Sequence, residues 1–218
     1  MARSAVVAGA TGLVGGFVLR RLLADADFAR VIVLARRPLH LSDDKLQTRI
    51  VEFERLASLP GPVDDVFCCL GTTIAKAGSQ AAFRKVDHEH VVALAKHARQ
   101  AGAQRFLMVS ALGASPRSRI FYNRVKGETE RDVAAAGIDA WFFRPSLLDG
   151  PRQEVRSGER IGLVLMRLIG PLLRGPLAKY RAIHADTVAA AMVAVAKSGR
   201  PPPGAVESDS IARLAHRA

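Results

Sequence analysis

The sequence predicts an α/β fold, a doubly wound parallel sheet followed by a small carboxyl-terminal segment. Apolar, β-branched runs alternate with segments of helix length, which is the pattern of βαβ units. A glycine-punctuated turn, Gly9-Ala10-Thr11-Gly12-Leu13-Val14-Gly15, joins the first run to the first helical segment. The 218 residues suit one well-grown domain, at about 150 residues per domain, better than two small ones.

The elements follow in order. Ala5–Ala8, Val31–Ala35, Ile50–Phe53, Val66–Leu70, Phe106–Val109 and Ala140–Phe143 read as strands. Val14, Val18 and Leu22 recur at helical spacing, Gln80 to Gln100 has the length and composition of one helix, and Tyr122 to Ala136 runs to a stop at Gly137. A core of residues 1–145 is expected on these elements, with residues 146–218 completing a single domain. Past Arg144 the regularity fails, because Pro145, Gly150-Pro151, Gly158, Gly170-Pro171 and Gly175-Pro176 punctuate a stretch with one apolar helix, Ile161 to Leu173. Asp186 reads as the N-cap of a helix over Val188 to Ala196, and Pro201-Pro202-Pro203-Gly204 as a rigid turn before the last segment.

Composition excludes several classes. With 49% hydrophobic and 24% charged residues the chain is neither disordered nor fibrous. The formal charge of +12, mostly from arginine, favours anionic partners, yet no block of five like charges marks a nucleic-acid arm and no aromatic platform accompanies the basic residues. Nucleic acid is therefore not expected, and neither is a membrane span, since Ile161–Leu173 is too short and is interrupted by Arg167 and Gly170-Pro171. Cys68 and Cys69 are adjacent in a strand and point to opposite faces, which suggests reduced thiols and a cytoplasmic setting. No metal ligand set is expected: His88 and His90 stand two apart on a helix and face apart. His184, just before the Asp186 cap, reads as a loop or packing histidine.

The glycine turn carries the first chemical signal. A dinucleotide pyrophosphate needs close backbone approach and the free N–H groups of a helix start, and Gly9, Thr11, Gly12, Leu13 and Val14 stand where both are supplied. Roughly 20 residues on, where a carboxylate would hold the ribose hydroxyls of NAD, the second strand ends in Ala35-Arg36-Arg37. Two guanidiniums suit a 2′-phosphate, so the expected cofactor is NADP(H). Tyr122 and Lys126, four apart on a helix, share one face. An ammonium beside a phenol favours phenolate and equips it for general acid–base work. Ser110 closes the fifth strand and is expected to hold a substrate carbonyl or hydroxyl beside Tyr122. The substrate mouth is expected between a mobile wall, Ser110 to Ser118, and a lid, Pro151 to Leu163.

Taken together, these residues resemble the atypical short-chain dehydrogenase/reductases, and more narrowly the Tat-interacting-protein-like NAD(P)H-binding family. The resemblance runs from the glycine turn through Phe67-Cys68-Cys69-Leu70-Gly71-Thr72-Thr73, Lys85-Val86-Asp87, Tyr122, Val125-Lys126-Gly127-Glu128, Phe143-Arg144-Pro145 and Arg152-Gln153-Glu154 to Gly158-Glu159. It implies a Rossmann-type fold carrying NADP(H), with Thr11, Leu13 and Val14 on the pyrophosphate. Leu70, Gly71, Thr72 and Pro145 line the cofactor in this resemblance, and Tyr122 with Lys126 holds the nicotinamide ribose. Asp87 stands where many superfamily members place a helix asparagine, and Ala111 follows Ser110 where a second hydroxyl is common.

Two functional readings follow. The first is an NADP-dependent oxidoreductase acting on a small-molecule carbonyl, alcohol or quinone-like substrate, with Ser110, Tyr122 and Lys126 catalytic. The second is an NADP(H)-binding sensor or scaffold that regulates a protein partner. Either is compatible with a homo-oligomer.

Overall fold

The computed structural model describes residues 2–56, 58–150 and 175–216. The main sheet holds β1 (Arg3–Ala8), β2 (Phe28–Ala35), β3 (Leu46–Ile50), β4 (Asp65–Cys68), β5 (Arg105–Val109), β6 (Asp139–Arg144) and, after a short pair β7 (Leu148–Asp149) and β8 (Ile183–His184), β9 (Gly204–Glu207). Its order is β3-β2-β1-β4-β5-β6-β9 and every pairing is parallel. The strand order reverses between β1 and β4, so the crevice beyond their carboxyl ends is where a Rossmann-type sheet receives a ligand.

Seven helices complete the described fold: α1 (Leu13–Ala24), α2 (Ile74–Ala77), α3 (Gln80–Arg84), α4 (His90–Gln100), α5 (Phe121–Ala134), α6 (Ala185–Ser198) and α7 (Ser208–Ala215). Alternation along the strands feeds two cores. Ala5, Val7, Val33, Phe67, Leu107 and Phe143 face α1 and α6, while Val6, Ala8, Ile32, Val66, Phe106 and Phe142 face α4. Helix α6 is alanine- and valine-rich and lies close along α1. Fully buried Val188, Met192 and Val195 each contribute about 1.5–3 kcal/mol of burial there.

Four expectations change. The third strand lies at Leu46–Ile50 and not at Ile50–Phe53, because this edge strand buries little and Phe53 reaches the core from a 3-10 turn. Gln80 to Gln100 is not one uniform helix: a π turn, Lys85–Glu89, separates α3 from α4. The cap of α6 is His184, whose Nδ1 accepts the Asp186 N–H, while Asp186 lies in the first turn paired to Arg21 at 2.8 Å. Finally, Gly204–Glu207 is a strand that returns the chain to the main sheet beside β6. The apolar helix Ile161–Leu173, the lid Pro151–Leu163, and the Arg152-Gln153-Glu154 and Gly158-Glu159 motifs lie outside the described residues.

Candidate cofactor and active site

The turn after β1 is built for backbone and nothing else. Gly9 has φ +85°, and a Cβ there would stand 2.4 Å from the Cys69 carbonyl oxygen; a Cβ on Gly15 would stand 2.1 Å from the Gly9 oxygen. Gly12 N–H donates to the Gly9 carbonyl at 3.0 Å, folding the turn onto itself. Gly12 is also the N-cap of α1, with no side-chain cap and no acidic residue in the first turn. Thr11 and Gly12 are exposed, Leu13 is half-buried and Val14 buried, so the helix start presents N–H groups to the crevice. This cradle, which side chains would fill, fits a pyrophosphate. Arg36 and Arg37 follow β2 and are exposed.

Across the crevice, Tyr122 lies in the first turn of α5, half-buried with its ring 5.5 Å from that of Phe83. Lys126 is buried one turn on, and its Nζ lies 2.7 Å from Asp87 Oδ1. Asp87 comes from the π turn; its other oxygen accepts the Thr72 N–H at 2.8 Å, and its carbonyl accepts Thr129 Oγ1 at 2.9 Å. Burial alone would push the Lys126 ammonium down, but Asp87 and then Tyr122 outweigh it, so the lysine titrates above its ordinary range. The pair thus joins the Leu70-Gly71-Thr72 loop, which follows β4, to the tyrosine–lysine helix. A Cβ on Gly71 would meet Asp87 Oδ1 at 3.4 Å and Lys126 Nζ at 3.8 Å. Pro145 is buried just past β6, and its carbonyl accepts the Leu112 N–H at 3.0 Å.

Ser110, expected to hold a substrate carbonyl or hydroxyl, has its own hydroxyl engaged within the protein. Its Oγ donates to Glu130 Oε1 at 2.5 Å and the residue is 4% exposed. Glu130 is in turn held by Arg144, which also reaches Glu207 at 3.0 Å. With its one proton committed to a carboxylate, the serine oxygen can accept a hydrogen bond but cannot donate one to a carbonyl. Ala111 adds no hydroxyl. Glu130 was legible as a partner: Tyr122, Lys126 and Glu130 recur every four residues and share a face of α5. Asp87 had no such signal, since its contact to Lys126 spans two elements.

The wall from Ser110 to Ser118, expected to be mobile, is hydrogen-bonded to α5. Ser115 N–H donates to the Asn123 carbonyl at 3.0 Å, and a Cβ on Gly127 would stand 2.2 Å from the Ser115 carbonyl carbon. Outside the crevice, His88 pairs with Asp132 at 2.8 Å and His90 stacks on Phe53 with centroids 5.9 Å apart. Burial pushes the Cys68 thiol up to about 12 and raises Cys69 as well, so neither is a ready nucleophile.

Comparison with known proteins identifies the family and the fold. Residues 9–198 match the NAD(P)H-binding family model. The chain is 35% identical over 218 residues to protein fmp52, mitochondrial, of Aspergillus fumigatus, covering 94% of this chain and 92% of that one. It is 35% identical over 164 residues to protein HTATIP2 of Rattus norvegicus, covering 72% and 67%. Among solved structures, MoeE5 in complex with UDP-glucose and NAD superposes with a TM-score of 0.70 at 15% identity, covering 98% of this chain and 81% of that one. The human epimerase family protein SDR39U1 with NADPH superposes at 0.62 and 17%, covering 93% and 72%. At those identities the likeness is one of fold. Among the described residues no helix is long and apolar enough to cross a membrane. The mitochondrial names of the fungal relatives overturn the cytoplasmic expectation, because unpaired thiols do not distinguish one reducing compartment from another. On the family match and these relatives together, the chain belongs to the NAD(P)H-binding, atypical short-chain dehydrogenase/reductase family.

Proposed function

We propose that the chain binds NADP(H) across the carboxyl ends of β1 and β4 and acts as an oxidoreductase on a small carbonyl, alcohol or quinone-like substrate. The observation that carries this reading is the meeting of two built halves. One is a glycine turn too tight for any side chain; the other is a tyrosine–lysine pair tied by Asp87 to the loop after β4. In this reading Gly9, Thr11, Gly12, Leu13 and Val14 receive the pyrophosphate, and Leu70, Gly71, Thr72 and Pro145 line the path to the ribose. Tyr122 and Lys126 hold the ribose hydroxyls. The preference for NADP(H) over NAD(H) is supported by Arg36 and Arg37, which offer planar donor forks where no carboxylate stands. The cofactor, when bound, supplies the hydride. Tyr122 then gives or takes the substrate proton, and Ser110 serves only as an acceptor.

A second reading, a cofactor-binding sensor for a protein partner, is favoured by one observation. The hydroxyl of Ser110 is occupied by Glu130 and Ala111 has none, so of the expected trio only Tyr122 offers the substrate a hydroxyl proton. Tyr122→Phe separates the two. For an enzyme, NADPH-dependent reduction of a carbonyl or quinone panel falls by about 10²-fold or more. NADPH affinity then changes by only the ~0.5–1.5 kcal/mol of one hydrogen bond. For a sensor, the wild type binds NADPH and oxidises none of it across the panel.

A further inference from the structure

The buried Lys126–Asp87 pair has a consequence for the redox state that the crevice prefers. Lys126 and Asp87 have side chains 6% and 0% exposed, with 2.7 Å between charged atoms. One further hydrogen bond fixes the carboxylate, from Thr72 N–H to its second oxygen, and Thr129 Oγ1 donates to the backbone carbonyl of Asp87, which lies in the π turn. Among the described residues Asp87 is the only carboxylate paired with Lys126. The other titratable groups that face Lys126 are Tyr122 on its own helix and Cys68 from β4. Glu128, two residues on and turned away from Lys126, is paired with Arg84. The pair therefore presents close to zero net charge, whereas an asparagine at position 87 would leave an unbalanced ammonium.

That difference matters to one class of ligand. An oxidised nicotinamide ring carries a positive charge and a reduced one does not. In a desolvated crevice an unbalanced ammonium repels the first and leaves the second unaffected, since Coulomb terms there are attenuated far less than in water.

We propose that Asp87 is a positioning residue whose counter-charge on Lys126 lets the site hold the oxidised cofactor, and so sets the balance of affinity between NADP+ and NADPH. This rests on the reading that Tyr122 and Lys126 receive the nicotinamide ribose. The test is binding, with no turnover required: calorimetric titration of NADP+ and NADPH into the wild type, Asp87→Asn, Asp87→Glu and the double variant Asp87→Asn, Lys126→Met. Asparagine removes the charge and keeps one oxygen, enough for the Thr72 N–H but leaving Lys126 without its acceptor.

The wild type is expected to bind the two redox states within about fivefold of each other. Asp87→Asn should shift the ratio toward NADPH by a further fivefold or more, a tenfold shift being about 30 mV in the potential of the bound couple. Asp87→Glu should keep the wild-type ratio even if both affinities drop. The double variant should return to it as well, and still reports if the single asparagine variant does not fold. Equal weakening of both redox states in Asp87→Asn overturns the proposal while leaving the cofactor reading intact. Failure of the wild type to bind either form overturns the cofactor reading, and this inference with it.

Discussion

Asp65 and Asp87 are both buried carboxylates paired with cations, and they stand at opposite ends of the sheet. Asp65 opens β4 at the amino end, with Arg3 of β1 at 2.5 Å and Arg105 of β5 at 3.2 Å. Both arginine side chains keep a path to water, at 17% and 22% exposure. Burial nonetheless outweighs them and raises the Asp65 pKa. The cluster staples three strands at the amino end of the sheet. Asp87 lies beyond the carboxyl end of the same strand, where open α/β sheets bind ligands. Its partner is an ammonium with two further protons to give. The same pairing is thus closed at one end and poised at the other, and its position on the sheet sets the difference.

The comparison can be broken by removing one cation. Lys126→Met strands Asp87 as an unpaired buried carboxylate and should cost about 3–5 kcal/mol of stability. The double variant Asp87→Asn, Lys126→Met should recover most of that loss in a denaturant melt. A single variant as stable as the wild type would mean that the pair is open to water.

At the other end, Asp65→Asn leaves two arginines that can turn to solvent. The expected loss is smaller, about 1–2 kcal/mol, with NADPH affinity unchanged. A change in NADPH affinity in this variant would erase the distinction between the two ends.

The smallest effect lies at the start of α4, just past the π turn. Burial lowers the His90 pKa below 6.5 in spite of Glu54, 3.7 Å away. A depressed histidine contributes stability that is complete above the unfolded value near 6.5 and is lost as pH falls through the folded one. Melts from pH 7.5 to 5 should show an acid loss in the wild type that His90→Phe, which keeps the ring packing on Phe53, does not show. Parallel curves would locate the acid sensitivity elsewhere.

What was legible in the sequence follows the same division. The glycine turn is a local, backbone-made feature, so spacing and flanking strand and helix were enough to find it. The central strands were legible because both faces are buried and their residues are apolar throughout. Edge strands were not: Leu46–Ile50 buries little, and Gly204–Glu207 has Val206 as its one buried apolar side chain. The π turn escaped because one inserted residue barely disturbs helical periodicity over 20 residues. Ser110 lies at its strand end as read, but its proton is set by Glu130 and Arg144; spacing on α5 puts Glu130 on the face of Tyr122 and Lys126, while no local pattern ties that face to Ser110 or Arg144. The pairings of Asp87 with Lys126 and Asp186 with Arg21 are long-range for the same reason.

The central claim is that this crevice binds NADP(H), and calorimetric titration of NADPH and NADH tests it most directly. Charge-assisted hydrogen bonds from Arg36 and Arg37 to the 2′-phosphate should favour NADPH by at least about tenfold. Arg36→Ala, Arg37→Ala should remove that preference and leave NADH binding as it was. Equal affinities in the wild type, or an NADPH affinity untouched by the double substitution, would contradict the account.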